Sequence, residues 1–141
     1  MKKKNFNIEI NASKEIVWST LWNDATYRKW TSVFSPGSHA VSDWNEGSKI
    51  KFICDTGDGM HSIIQKKIPY QQMSFKHLGE IKDGIETISA WSGAMEEYFL
   101  KEKNGITFLT IEMDISSEFE DYFSETFPKA MELIKQISEK S

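Results

Sequence analysis

The chain has 141 residues, 39% of them hydrophobic and 27% charged, with 8 glycines and 3 prolines, which excludes the fibrous and disordered classes and describes an ordinary globular protein. The net charge is −4, and beyond the Lys2-Lys3-Lys4 run the lysines are scattered, so no basic face exists to neutralise a phosphate backbone and nucleic acid is excluded as the expected partner. No segment approaches the roughly 20 apolar residues needed to span a bilayer, and the single Cys54 cannot form an internal disulfide.

A chain of this length fits a single domain over residues 1–141 with a core that needs neither disulfide nor structural metal. Asn5, Asn7 and Glu9 interrupt any apolar h-region after the first lysines, so the expected compartment is cytoplasmic.

Residues 4–11 read as a strand, with Phe6, Ile8 and Ile10 on one face and Asn5, Asn7 and Glu9 on the other. Ser13 stops it and caps a helix in which Ile16, Val17, Thr20 and Leu21 recur at helical spacing, with Glu15 in the first turn. Asp24 caps a second short helix that ends near Trp30. Turn chemistry follows at Pro36-Gly37, Asn45-Glu46-Gly47, Gly57-Asp58-Gly59, Lys82-Asp83-Gly84 and Asn104-Gly105, and the runs between are rich in Ile, Phe, Thr and Tyr, which predicts a hairpin meander. Alternation places Ile50, Phe52 and Cys54 on one face, and Met73, Phe75 and His77 on another. From Ile106 to Ile115, Thr107, Leu109, Ile111 and Met113 share a face, and Asn104-Gly105 turns this strand back on Tyr98-Phe99-Leu100.

Ser117-Glu118-Phe119-Glu120 has capping-box spacing, predicting a long helix from near Glu118. Phe119, Phe123, Phe127, Ala130, Ile134 and Ile137 form its apolar stripe, with acidic residues early and Lys129, Lys135 and Lys140 late. Pro128 predicts a kink or restart just before it.

The switch from strand alternation to helical period over residues 8–30 resembles the opening of the START-like, helix-grip superfamily (SRPBCC). Trp44-Asn45-Glu46-Gly47-Ser48-Lys49-Ile50-Lys51-Phe52 is similar to the family's turn into its curved sheet, and Gly105-Ile106-Thr107-Phe108-Leu109-Thr110-Ile111 to its Gly-x-Thr-x-Leu-Thr strand. Ile68-Pro69-Tyr70, Met73 to Gly79 and Gly84 resemble the bacterial branch grouped with the C-terminal domain of the Hsp90 ATPase activator. The resemblance implies an α+β helix-grip fold: a curved antiparallel sheet wrapped around a long C-terminal helix, with two short helices after the first strand. It implies a small, mostly apolar ligand held between sheet and helix. Polyketide aromatase-cyclases in the superfamily perform chemistry in that cavity, but no fixed motif carries their polar residues to this chain.

His39, His61 and His77 lack metal-ligand spacing, and Cys54 with His61 would supply only two ligands across the Gly57-Asp58-Gly59 turn, so neither metal nor cofactor is expected. His77 falls beside Met73 and Phe75 on an interior face, where an imidazole satisfied by a backbone carbonyl is the simplest expectation. Glu96 shares the Tyr98 and Leu100 face and is a candidate acid or ligand anchor, whereas one bulge would turn Glu97 inward instead. No GxSxG, Walker, GxGxxG or HExxH motif is present. Trp18 and Trp22 share a helix face, while Trp30, Trp44 and Trp91 lie near element ends, where a cavity mouth would form even if core packing claims them.

The leading expectation is binding of a small hydrophobic molecule, without covalent catalysis, in a cavity lined by Phe52, Cys54, Phe75, His77, Trp91, Tyr98 and Leu109 from the sheet and Phe127, Met131 and Ile134 from the helix, with His77 or Glu96 orienting a polar group. The alternatives are a cyclase, dehydratase or hydrolase-like enzyme acting on such a ligand, and a protein-interaction module related to the Hsp90 activator.

Overall fold

Phe6, Ile8 and Ile10 alternate inward along strand β1 (Lys2–Ile10) in the computed structural model, which describes residues 1–141. Ser13 is extended (φ −68°, ψ 157°), and its Oγ accepts the Ile16 amide at 3.2 Å, starting α1 (Lys14–Trp22). Asn23, also extended, separates α1 from α2 (Asp24–Trp30). The cap position is therefore Asn23, and Asp24 lies in the first helical turn, where it accepts from Arg28 Nε at 3.0 Å. A 3-10 turn, Thr31–Val33, follows.

The meander comprises β2 (His39–Val41), β3 (Lys49–Ile53), β4 (Gly59–Ile68), β5 (Gln72–Lys82), β6 (Ile85–Glu86), β7 (Met95–Lys103) and β8 (Ile106–Ile115), and α3 (Glu120–Glu139) closes the chain. All pairings are antiparallel in the order β1-β8-β7-β5-β4-β3-β2, with β6 on β5. Asn104 and Gly105 both have positive φ (54° and 79°), the conformation a two-residue hairpin requires. No helix is long and apolar enough to cross a membrane.

Two irregularities between β4 and β5 re-aim side chains. Ser62 opposes His77 and His61 opposes Gly79, so Leu78 is an extra residue that lets both His77 and Glu80 face the concave side. Gly79 lies where a Cβ would come within 1.7 Å of the Thr87 carbonyl oxygen, so the chain after β6 can lie against β5 only because this position has no side chain.

The solid core occupies one end of the concave face. Ile10, Val17, Leu21, Met73, Phe75, Leu109, Ile111, Ala130 and Ile134 are fully buried there, contributed by α1, the C-terminal half of α3 and the sheet. Ser138 Oγ donates to Thr20 Oγ1 at 3.1 Å between the two helices, and Glu139 accepts the Asn11 amide at 2.8 Å, tying the end of α3 to the end of β1.

Two expectations for α3 are corrected. The chain takes a 3-10 turn over Ser117–Phe119 before α3 begins at Glu120, so the residue at the cap position is Phe119, with no side-chain cap bond, and the capping box has no α-helical turn to close. The helix also does not restart at Pro128, whose neighbours Phe127, Ala130 and Met131 are held by packing while the proline itself faces solvent.

Ile134→Ala is expected to cost about 2–5 kcal/mol, as deletions in a solid core do. Phe127 stands at the edge of a cavity, so Phe127→Ala should fall at or below the low end of the roughly 3–5 kcal/mol typical of Phe deletions. Denaturant midpoints at constant m-value check both; an unchanged midpoint for Ile134→Ala would contradict the packing described.

Candidate functional site

The other end of the concave face is not filled. A cavity of about 490 Å3 lies between the ends of β3, β4, β5, β7 and β8 and the N-terminal half of α3, and 17 of its 28 lining residues are hydrophobic. The strands bring Phe52, Met60, His77, Glu96, Tyr98, Met113 and Ile115 to its wall, with Cys54 just past the end of β3; α2 and the turn after it bring Tyr27, Trp30 and Phe34; α3 brings Tyr122, Phe123 and Phe127; and Trp91 approaches from the segment before β7. Tyr122 OH donates to the Phe34 carbonyl at 2.8 Å, joining α3 to the α2 side of the mouth.

One polar chain crosses this apolar wall. Glu96 Oε2 accepts from Tyr98 OH at 2.5 Å, and Glu96 Oε1 lies 2.9 Å from His77 Nε2. His77 Nδ1 lies 2.6 Å from Ser62 Oγ. With Nε2–H donated to the carboxylate, a neutral imidazole presents Nδ1 as an acceptor, and the Ser62 hydroxyl donates to it. His77 is thus satisfied by two side chains rather than by the expected backbone carbonyl. Ser62 is fully buried behind the wall and is not poised as a nucleophile, whereas His77 and Glu96 both reach the cavity.

Burial, reinforced by the nearby Glu96 charge, pushes the phenols of Tyr27 and Tyr98 well above their ordinary value of 10.0. The Tyr98 hydroxyl is bound to Glu96, but the Tyr27 hydroxyl makes no hydrogen bond within the protein. Asp114 on the same wall is occupied structurally, accepting the Met95 amide at 2.9 Å. No three His, Cys, Asp or Glu side chains converge as a metal site, and His61 lies on the opposite side of the sheet from the cavity, its Nε2 2.7 Å from the Thr87 carbonyl oxygen.

Of the residues expected at the cavity, the structure brings together Phe52, Cys54, His77, Trp91, Glu96, Tyr98 and Phe127. Phe75, Leu109, Met131 and Ile134 lie instead in the solid core, and Phe75 stands directly behind the wall with its ring 5.0 Å from that of Phe52. Alternation for Phe75 and Leu109 and helical spacing for Met131 and Ile134 assign them to the correct face, but they occupy the end that α1 and α3 fill. Glu97 points to the other side of β7, where it accepts from Ser74 Oγ at 2.8 Å. Trp30 lines the cavity and donates Nε1 to the Leu21 carbonyl at 3.2 Å; Trp44 packs against Trp22 at 5.7 Å, outside the lining. Sequence reasoning missed Tyr27, Phe34, Met60, Met113, Ile115 and Phe123 as lining. Met113 and Ile115 carry the same alternation as Leu109, so their signal was present.

A curved antiparallel sheet, two short helices after its first strand and a long helix gripped by its concave face define the helix-grip, START-like fold. Among solved structures, the Aha1 dimer protein from Colwellia psychrerythraea superposes with a TM-score of 0.76 at 22% identity, covering 99% of this chain and 97% of that one. CalU16 from Micromonospora echinospora gives 0.71 at 14% identity over 96% of this chain and 75% of its own. DynU16, from the dynemicin biosynthetic locus, gives 0.74 at 12% identity over 96% and 46%. No protein-family model and no curated protein sequence matches the chain.

The raised phenols make an alkaline prediction with a definite sign. A folded-state pKa above the unfolded value stabilises the fold below about pH 10 and is lost as pH rises beyond it. Absorbance near 295 nm should show Tyr27 and Tyr98 ionising only together with alkaline unfolding, and Tyr98→Phe should remove one such group. Reversible ionisation of all four tyrosines in the folded protein would contradict the burial described.

Proposed function

We propose that this protein binds a small hydrophobic molecule in the cavity beneath the N-terminal half of α3. The observation that carries the reading is the pairing of a mostly apolar space of about 490 Å3 with a carboxylate, Glu96, fixed on its wall by Tyr98 and His77. Ligand sites have this form: mostly apolar walls supply affinity, and a few fixed polar atoms supply orientation. The size lies within the roughly 300–1,000 Å3 usual for small-molecule pockets.

The enzymatic alternative, a cyclase, dehydratase or hydrolase-like reaction on such a ligand, is favoured by one observation. His77 and Glu96 are 2.9 Å apart and both reach the cavity, the arrangement of a proton-transfer pair. The interaction-module alternative draws on the likeness to the Colwellia Aha1 structure and needs a docking surface rather than a pocket.

A thermal-shift screen of sterols, flavonoids, polyketide-like aromatics and long-chain amines or acids should contain a stabilising ligand, because a molecule that binds only the native state at 100 times its Kd adds about 2.7 kcal/mol. The same ligand should change the fluorescence of Trp30 or Trp91 and lose that effect in a Trp91→Ala, Phe52→Ala double variant. Absence of any stabilising compound, together with no retained small molecule by native mass spectrometry of the protein from its own host, would refute the binding function. Turnover of a bound ligand that collapses about 10²- to 10⁴-fold in His77→Gln would replace binding by the enzymatic reading.

A further inference from the structure

We infer that the polar end of the ligand is a cationic ammonium group, so that the cavity accepts hydrophobic amines and rejects carboxylates of the same shape. The inference deepens the binding function proposed above and rests on it.

Three independent features support it. The first is the charge of the lining. Four acidic residues, Asp58, Glu80, Glu96 and Asp114, are among those lining the cavity, with His39 and His77, and no lysine or arginine is; the Asp58 and Asp114 carboxylates are already engaged by the Asp83 and Met95 amides. The one ammonium among the lining residues is that of Met1, which is largely exposed, so an anionic ligand that carries its charge inward to Glu96 meets a carboxylate instead of a lysine or arginine, which burial makes costly.

The second is unused acceptor capacity at the innermost carboxylate. Glu96 accepts one hydrogen bond on each oxygen, from His77 and Tyr98, and an ionised carboxylate has about four acceptor sites. Both donors lie along the sheet and hold the group rigidly. The remaining lone pairs are open to a donor arriving from the cavity, and an ammonium supplies three N–H donors with the complementary charge.

The third is the Tyr27 hydroxyl. Tyr27 is only 7% exposed, lines the cavity and makes no hydrogen bond within the protein. A phenol oxygen can accept from the same ammonium that binds Glu96. The rings of Tyr27, Trp30 and Tyr98 pack edge-on together here, Tyr27 to Trp30 at 5.1 Å and Trp30 to Tyr98 at 6.3 Å between centroids, which holds the Tyr27 side chain in place.

The test is a matched series with one apolar body: naphthylethylamine, naphthylethanol and naphthylacetic acid, titrated calorimetrically into the protein at neutral pH and fixed ionic strength. The amine is expected to bind about 10- to 100-fold more tightly than either the alcohol or the acid, the range of a hydrogen bond to a charged group. Glu96→Gln should erase that preference, since the amide keeps the shape of the side chain and removes its charge. Tyr27→Phe should weaken the amine selectively. Equal or tighter binding of the acid, an alcohol that matches the amine, or an amine preference retained in folded Glu96→Gln would each overturn the inference while leaving the binding function intact. If Glu96→Gln does not fold by circular dichroism, the wild-type ranking and Tyr27→Phe decide the matter. Failure of all three compounds to bind at millimolar concentration, with the thermal-shift screen also empty, would remove both the inference and the function on which it rests.

Discussion

A curved sheet can be packed solid only where helices reach its concave face. In this protein, α1 and the C-terminal half of α3 reach one end, burying Leu21, Phe75, Leu109, Ile111 and Ile134 completely. The N-terminal half of α3 stands over the other end, with α2 and the turn after it forming the far side of the gap. The same strands therefore carry two kinds of interior: Leu100 of β7 and Leu109 of β8 belong to a packed core, and Glu96 and Met113, paired across those two strands, belong to a cavity wall. Solid core and cavity are separated along the strand direction, so the cavity can exist without weakening the packing that holds the fold together.

A wall built only for stability would have no use for Glu96. A carboxylate with 14% of its side chain exposed carries a desolvation cost that an apolar residue of similar size would avoid. That cost is offset by the Tyr98 hydroxyl and the His77 ring, and His77 in turn occupies Ser62, so three residues on three strands serve one charged group. The Leu78 irregularity belongs to the same arrangement, because it changes the inward parity of β5 just beyond His77. Polar networks of this kind give a fixed direction to the group they support, and that group lines the cavity.

The architecture was legible in the sequence because its signals are local. Ser13 caps α1, Asn104-Gly105 turns β7 into β8, and Phe6, Ile8 and Ile10 declare a half-buried strand, each without reference to the rest of the chain. The cavity wall was legible only as a face. Alternation shows that Phe75, His77, Glu96 and Leu109 point inward, but whether an inward residue meets a helix or a cavity depends on how far α1 and α3 extend along the strands, and no window of sequence contains that distance. The capping box failed for a related reason: the spacing at Ser117 is correct for a cap, but the chain spends those residues on a 3-10 turn before the α-helix begins. Tyr27 was hidden because α2, at 7 residues, is too short to show a periodic face.

Likeness to other helix-grip structures at 12–22% identity follows from these same facts and limits what it can convey. Core positions accept any apolar set of suitable volume, so distant sequences reach one backbone path. The charge of the cavity, by contrast, is set by a few side chains at strand ends and in one short helix. Exchanging Glu96 for leucine and Asp58 for lysine would leave every core contact in place while changing the net charge of the lining by three, enough to reverse the preference between an amine and an acid. What the cavity selects is thus a property of this chain's own lining residues, carried on a fold that leaves it free to vary.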